Sequence, residues 1–249
     1  MKLVFLTAAD PIYLPTFFER VLDARGAETQ TVYVVPPLFK DQTTVAAARR
    51  FYRTFGFDAV IGLAWRLLQM RLKRRSIAAV CRKRRVPVAE VHDVNAPEFL
   101  SELAARRPDV IVSVSCPQIF KRPLIELPPE GCLNIHGAIL PDYRGVMPSF
   151  WMLANGEERA GVSIFFVNEQ IDAGDLCGQR IFEIEPTETL DRFLRRSKAI
   201  AADLLLEVLD GIQRGTVKRI PLDLTRGTYY SWPDKESVER FRASGRRLW

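Results

Sequence analysis

The chain has 249 residues and a net charge of +6, and 47% of its residues are hydrophobic while 27% are charged. This composition is typical of a soluble globular protein, and the length suffices for one large domain with an ample core. No apolar run approaches the roughly 18 residues of a membrane span, and the apolar start is too short for a signal peptide. With two histidines and no paired cysteine spacing, we expect no metal site and free thiols in a reducing, cytoplasmic setting. The four cysteines are Cys81, Cys116, Cys132 and Cys177.

The first half of the chain alternates apolar strand patterns with helical patterns. The predicted strands span residues 3–7, 30–35, 86–91 and 110–115, and the predicted helices span 14–24 and 96–106. Continuous apolar strands separated by helices are typical of a parallel sheet that is covered on both faces. We therefore expect an α/β fold, a Rossmann-like, mostly parallel sheet with helices on both faces. No Gly-x-Gly-x-x-Gly follows the first strand, so a dinucleotide cofactor is not supported.

The second half has a different pattern. Residues 162–167 and 177–184 predict paired strands around a turn, and residues 190–213 predict one long amphipathic helix. We assign residues 1–213 to one domain, with a helical insertion over 43–84 that is broken near Gly56. Residues 214–249 form a short C-terminal extension, which we expect to be too short for an OB-type barrel of about five strands.

A basic cluster lies in the insertion, with eight positive charges in fifteen residues: Arg71, Lys73, Arg74, Arg75, Arg82, Lys83, Arg84 and Arg85. Such a cluster could bind phosphates, or it could be the solvated faces of two helices. The solvated faces are the favoured interpretation. Few aromatic residues accompany the cluster, which argues against a platform for single-stranded nucleic acid, so a nucleic-acid partner is not expected.

Three polar residues form the strongest candidate site. Asn134 and His136 lie two residues apart at the end of an apolar run, so in a strand both point to the same side. Asn can donate a hydrogen bond to a developing oxyanion, and His exchanges protons near neutral pH. Asp172, on a later turn, could orient the imidazole. The alternative is that Asn134 and His136 only cap a strand end; the second histidine, His92, has no comparable neighbours.

A longer set of ordered motifs resembles the formyltransferase family. The matching elements run from about residue 110 to residue 185: Asn134-x-His136, Leu140-Pro141-x-Tyr143-Arg144-Gly145, Pro148, Trp151, Asn155-Gly156-Glu157, Gly161-Val162-Ser163 and Asp172-x-Gly174-Asp175. That family takes its formyl group from 10-formyltetrahydrofolate and includes glycinamide ribonucleotide, methionyl-tRNA and amino-sugar formyltransferases. The resemblance implies that residues 1–213 are the catalytic domain of a folate-dependent N-formyltransferase.

The resemblance also implies roles for particular residues. Asn134, His136 and Asp172 are the expected catalytic residues, whereas Asp175 is expected to stabilise the turn. The expected folate-binding residues are Ser115, Cys116, Gln118, Ile119, Leu140 and Asp172, with Gln118 and Ile119 acting by position rather than by side chain. Tyr143, Arg144 and Gly145 are the expected substrate-binding residues. One departure is Phe165, which stands where relatives often have His.

The resemblance leaves the acceptor open. The segment Ala8-Ala9-Asp10-Pro11 stands where the glycinamide ribonucleotide enzymes have a Gly-Ser-rich phosphate loop. It cannot offer a phosphate the same run of backbone N–H groups, because Pro11 has none. We expect a small-molecule amine, above all the amino group of a nucleotide-linked amino sugar. The alternatives are a formyltetrahydrofolate hydrolase, a methionyl-tRNA formyltransferase-like enzyme without the barrel, and a non-catalytic folate-binding module. A homodimer is an open alternative to a monomer.

Overall fold

The computed structural model describes residues 1–36 and 44–249 of the chain. The strands in these residues are β1 (Leu3–Ala8), β2 (Thr29–Val35), β3 (Val88–Glu90), β4 (Val110–Val114), β5 (Cys132–His136), β6 (Arg144–Gly145), β7 (Arg159–Phe166), β8 (Leu176–Glu183) and β9 (Tyr229–Tyr230). Seven of them form one sheet in the spatial order β3-β2-β1-β4-β5-β7-β8. The pairs from β3 through β5 are parallel, whereas β7 is antiparallel to both β5 and β8.

Helices cover both faces of this sheet. The helices are α1 (Leu14–Arg25), α2 (Thr44–Phe55), α3 (Phe57–Leu72), α4 (Ile77–Lys83), α5 (Pro97–Arg106), α6 (Arg122–Ile125), α7 (Pro148–Ala154), α8 (Leu190–Gln213) and α9 (Lys235–Ala243). Leu3 and Phe5 of β1 belong to a core shared with α1, α4 and α8. The alternate residues Val4 and Leu6 belong to a core shared with α5 and α6. This alternation follows from the two-residue period of a strand.

A second layer packs beyond one end of the sheet. Its core joins α2, α3, α7, α8 and α9 through a cluster of aromatic side chains. Phe150 of α7 lies 5.6 Å from Phe55 of α2 and 5.1 Å from Phe241 of α9, measured between ring centroids. The predicted C-terminal extension therefore takes part in the core through α9, while its β9 pairs with β6.

The mostly parallel α/β fold expected from the sequence is confirmed, and the bounds of several elements differ. The predicted insertion starts at residue 43, which lies outside the described residues. Its break at Gly56 is confirmed, and a second break separates α3 from α4, where Arg74 has φ +49° and the Ser76 hydroxyl accepts a hydrogen bond from the Ala79 amide. Strand β7 starts earlier than predicted, because Arg159 pairs with Glu183 of β8. Within the described ranges, no helix has both the length and the apolar character needed to cross a bilayer.

Candidate active site

A cavity of about 740 Å³ opens at the carboxyl ends of β1, β4 and β5. Strand β1 lies between β2 on one side and β4 on the other, so the direction in which strands are added to the sheet reverses at β1. Ligands of open α/β sheets bind at such a switch point. The residues that follow these strands line the cavity: Asp10 and Tyr13 after β1, Ser115 to Phe120 after β4, and Asn134 to Gly137 at the end of β5.

Strand β5 presents Asn134 and His136 to this cavity. Asn134 lies between Ser113 of β4 and Phe165 of β7, and His136 lies beside Ser163 of β7. Because the two residues are separated by one position in an extended strand, they share a face. His136 is only 6% exposed, so its ring orientation is set by the protein rather than by solvent.

The two ring nitrogens of His136 face different acceptors. Nε2 lies 2.8 Å from the backbone carbonyl oxygen of Tyr143, and a carbonyl can only accept, so Nε2 carries a proton. Nδ1 lies 3.6 Å from Oδ2 of Asp172. In the neutral ring the lone pair is therefore on Nδ1, the nitrogen that faces Asp172.

Asp172 lies on the turn between β7 and β8 and is held by strand β6. Its backbone has φ +49°, a left-handed conformation that Asp tolerates better than most residues. The Gly145 amide donates a hydrogen bond of 2.8 Å to Oδ2, the same oxygen that faces His136. Gly145 has φ +96°, and a Cβ there would collide with the carbonyl of Tyr230. A side chain at position 145 would therefore disturb the bond that orients Asp172.

The loop after β4 is fixed by its own side chains. Gln118 accepts a hydrogen bond of 2.9 Å from the Val94 amide and donates one of 2.6 Å to the His92 carbonyl. Asn95 donates to the Ile119 carbonyl at 3.0 Å. Ser115, Cys116, Gln118 and Ile119 all line the cavity. Since the Gln118 amide is occupied by these bonds, this loop can offer a ligand its remaining backbone groups and its apolar surface.

Three of the predicted site residues do not line the cavity. Leu140 is buried, and its amide and carbonyl bond to Ser163 and Gln179. The ring of Tyr143 stacks on Tyr230 with 5.1 Å between centroids, so only its carbonyl reaches the site, through His136.

Arg144 lies on β6 with its guanidinium 5.9 Å from the centre of the Tyr229 ring, and its Nε is buried without a hydrogen-bond partner among the described residues. Of the three residues, only Tyr143 reaches the site, through its backbone carbonyl. The roles of Leu140 in folate binding and of Tyr143 and Arg144 in substrate binding stay predictions, although none of the three lines the cavity.

Lys198 lines the cavity, and it is not among the site residues predicted from the sequence. It lies on α8, and its Nζ donates a hydrogen bond of 2.8 Å to the Ser115 hydroxyl. Burial lowers the pKa of its amine, and the carboxylate of Asp10 opposes that shift. A signal was present, because Lys198 stands in the apolar stripe of α8, four residues from both Leu194 and Ala202. A cation in such a stripe indicates a special environment.

Burial raises the pKa of two further titratable groups of the cavity, Tyr13 and Cys116. The Tyr13 hydroxyl donates to Oδ1 of Asp191 at 3.0 Å, and burial raises its pKa. Burial also raises the pKa of the Cys116 thiol to about 11, so this cysteine is a neutral thiol at pH 7. Within residues 1–36 and 44–249, no group of three or more His, Cys, Asp or Glu side chains is placed to hold a metal ion.

Comparison with known proteins agrees on one family. The chain is 34% identical over 188 residues to the methionyl-tRNA formyltransferase of Thermotoga maritima, which covers 74% of this chain and 60% of that protein. The chain thus spans less than two thirds of the length of this relative. Among solved structures, a sugar N-formyltransferase from Shewanella sp. FDAARGOS_354 has a TM-score of 0.60 at 18% identity, covering 93% of this chain and 77% of that one.

A second solved structure has the same fold. It is an N-formyltransferase from Helicobacter canadensis in complex with folinic acid and dTDP-3-aminofucose, with a TM-score of 0.58 at 18% identity, covering 93% of this chain and 71% of that one. The family model described as formyl transferase matches residues 66–209, which is more than half of the chain. The chain therefore belongs to the formyltransferase family.

Proposed function

We propose that this chain transfers a formyl group from 10-formyltetrahydrofolate to the amine of a small-molecule substrate. The observation that carries the proposal is the convergence of Asn134, His136 and Asp172 from two separate parts of the chain on one cavity. A carboxamide, a buried imidazole and a carboxylate are the groups that amine formylation needs. The family membership and the folinic acid in the Helicobacter canadensis structure support a folate donor.

His136 would manage the protons of the reaction. The attacking amine must lose one proton and the departing folate nitrogen must gain one. Nδ1 is the only ring nitrogen with a free lone pair, because Nε2–H is bonded to the Tyr143 carbonyl. When Nδ1 is protonated, Oδ2 of Asp172 at 3.6 Å stabilises the charged ring. General acid–base catalysis of this kind contributes typically about 10²–10⁴-fold to the rate.

Asn134 would stabilise charge on the formyl oxygen. Its side-chain amide can donate a hydrogen bond to that oxygen as negative charge develops during attack. One such donor is worth roughly 2.7–4 kcal/mol in the transition state. Because Asn134 lies inside the sheet between Ser113 and Phe165, its position is set before the substrate arrives.

The loop after β4 would hold the folate ring. The residues offered for this role are Ser115, Cys116, Gln118 and Ile119, all of which line the cavity. The site also has an apolar wall that includes Phe165 and Val167, which suits a flat heterocycle. The donor supplies the activated formyl group, and the loop supplies orientation, since its side-chain bonds to residues 92–95 keep its backbone in place.

For the acceptor we propose a nucleotide-linked amino sugar. Lys198 supports this choice, because its amine places a positive charge beside Ser115 inside the cavity, where phosphate oxygens could bind. The dTDP-3-aminofucose in the Helicobacter canadensis structure has the same chemical form. A second candidate is methionyl-tRNA, which is supported by the similarity to the Thermotoga maritima methionyl-tRNA formyltransferase and by the basic insertion.

Two assays test the reaction and the acceptor. The protein is first incubated with 10-formyltetrahydrofolate alone, and formate release is followed; a transferase releases no formate at an appreciable rate, because it passes the formyl group only to its amine. Steady release of formate without an amine would show that the protein is a hydrolase and not a transferase. A panel of nucleotide-linked amino sugars and charged methionyl-tRNA is then supplied, and the formylated product is identified by mass spectrometry. Formylation of the tRNA and not of the sugars would overturn the amino-sugar proposal.

A further inference from the structure

Helix α3 exposes a continuous apolar stripe. Phe57, Ile61, Trp65, Leu68 and Leu72 follow one another at spacings of four, four, three and four residues, which keeps them on one side of a helix. Their exposed fractions run from 46% for Leu68 to 74% for Leu72, and Trp65 is 56% exposed. The stripe is about 22 Å long at 1.5 Å per residue. Exposed apolar patches of this extent mark interaction sites.

The opposite side of α3 is anchored to the body of the protein. Ala59 and Met70 are buried there. Arg66 lies 3.3 Å from Oδ1 of Asp191 and stacks over the Trp249 ring at 4.1 Å. The apolar stripe is therefore presented outward by a helix whose orientation is fixed, and it is not the side that packs on the core.

The segment of the chain that contains the stripe is strongly basic. Residues 44–85 contain twelve Lys and Arg side chains against one acidic residue, Asp58, so this segment carries +11 although the whole chain carries only +6. Arg75 and Arg84 pair with Glu19 and Asp23 of α1. Six further cations at the end of α3 and on α4 are exposed: Arg71, Lys73, Arg74, Arg82, Lys83 and Arg85.

We infer that α3 and the cations that follow it dock the protein on an anionic lipid bilayer. A helix with Trp, Phe and Leu on one face and Lys and Arg beside it binds in the plane of the interface, with its apolar face inserted about 5–10 Å. Juxtaposed cations add attraction to anionic headgroups. Both features occur here, the apolar stripe on α3 and the exposed cations at its end and in the segment that follows it.

Two other occupants explain the surface less well. A second copy of the chain would bring two segments of +11 together, and this repulsion opposes pairing through α3. Nucleic acid would use the cations but would leave Ile61, Leu68 and Leu72 without a role, since bases stack on aromatic rings. An anionic bilayer uses both the apolar stripe and the charges.

Co-sedimentation with vesicles tests this inference on the full chain. We expect binding to phosphatidylcholine vesicles that contain about one third phosphatidylglycerol, little binding to pure phosphatidylcholine, and weaker binding as salt screens the charges. The triple change Ile61→Gln, Trp65→Gln and Leu68→Gln should lower binding at least about tenfold. The matched control is Ile181→Gln with Ile220→Gln, which removes two equally exposed apolar side chains elsewhere and should bind as the wild type does.

The charge variants give an independent measurement. Changing Arg71, Lys73 and Arg74 to Gln should reduce binding on the order of a hundredfold, since each cation near the surface contributes about fivefold. Thermal melting of every variant confirms that it is folded. Absence of wild-type binding to anionic vesicles would overturn the inference. It would also be overturned if ultracentrifugation without lipid shows a dimer that the stripe variant abolishes, or if RNA binds and the stripe variant binds it equally well.

Discussion

The cavity at the carboxyl ends of the strands and the insertion helices use polar residues in opposite ways. In the cavity, the groups proposed to act are oriented by defined partners, as His136 is by the Tyr143 carbonyl and Asp172 is by the Gly145 amide. In the insertion, most cations are exposed beside an exposed apolar stripe. Groups that act on a reacting bond need fixed geometry, whereas groups that attract a surface need only charge and exposure.

The largest effect is expected at His136, which is buried in the cavity, whereas the second histidine, His92, is exposed. His136→Ala should lower kcat/KM for formyl transfer at least about a hundredfold, because it removes the proton-exchanging Nδ1. His92→Ala is the matched control and should leave turnover unchanged, since the His92 ring is 80% exposed and does not line the cavity. Steady-state kinetics on both variants checks this. Near-wild-type turnover of His136→Ala would remove it from the mechanism.

Next in size is the effect of a folate analogue on stability. A ligand that binds only the folded state stabilises it by roughly 2.7 kcal/mol at a hundredfold excess over its Kd. A non-hydrolysable folate analogue should therefore raise the Tm, whereas NAD should not. The same shift should persist in the variant with Ile61, Trp65 and Leu68 changed to Gln, because none of these residues lines the cavity. No shift at millimolar analogue would argue against a folate site.

A smaller effect is expected at Lys198. Lys198→Gln should raise the KM for a phosphate-bearing acceptor roughly tenfold and leave kcat nearly unchanged, because a charge-assisted hydrogen bond is lost from binding alone. Lys218→Gln, at an exposed position outside the cavity, is the matched control. An equal rise in KM for an amine without phosphate would contradict the assignment of Lys198 to phosphate binding.

The pH dependence of that KM follows from the lowered pKa of Lys198. Burial favours the neutral amine, so its charge is lost at a pH below the ordinary value of 10.5 as the pH rises. The difference in KM between wild type and Lys198→Gln should therefore shrink on the alkaline side before an ordinary lysine would titrate. A difference that is constant up to that pH would show that the charge of Lys198 does not bind the acceptor.

The smallest effect is expected in the basic cluster. Changing Arg74, Arg75, Arg84 and Arg85 to Gln should leave both kcat and KM unchanged for a soluble acceptor, because none of the four lines the cavity. Arg75 and Arg84 bond to side chains of α1 at the surface. Kinetics at low salt checks this, and a strong rise in KM there would show that the insertion takes part in acceptor binding.

Local periodicity determined much of this protein from the sequence alone. The β–α alternation predicted the mostly parallel sheet, and the helix over 190–213 has the predicted bounds, because continuous apolar runs and an apolar period of 3.6 residues report burial directly. The shared side of Asn134 and His136 also follows from strand geometry. The edge strand β3 is shorter than predicted, since it is paired only with β2.

Only the tertiary structure decided what those residues meet. That Asp172 lies 3.6 Å from His136 depends on the β7–β8 turn folding back over β5, and that Nε2 is the protonated nitrogen depends on a backbone carbonyl whose position no residue type reveals. The same holds for Tyr143 and Arg144, whose side chains leave the site, and for Lys198, which enters it from α8. Local patterns report which side of an element is buried; the contacts between distant elements depend on how the whole chain packs.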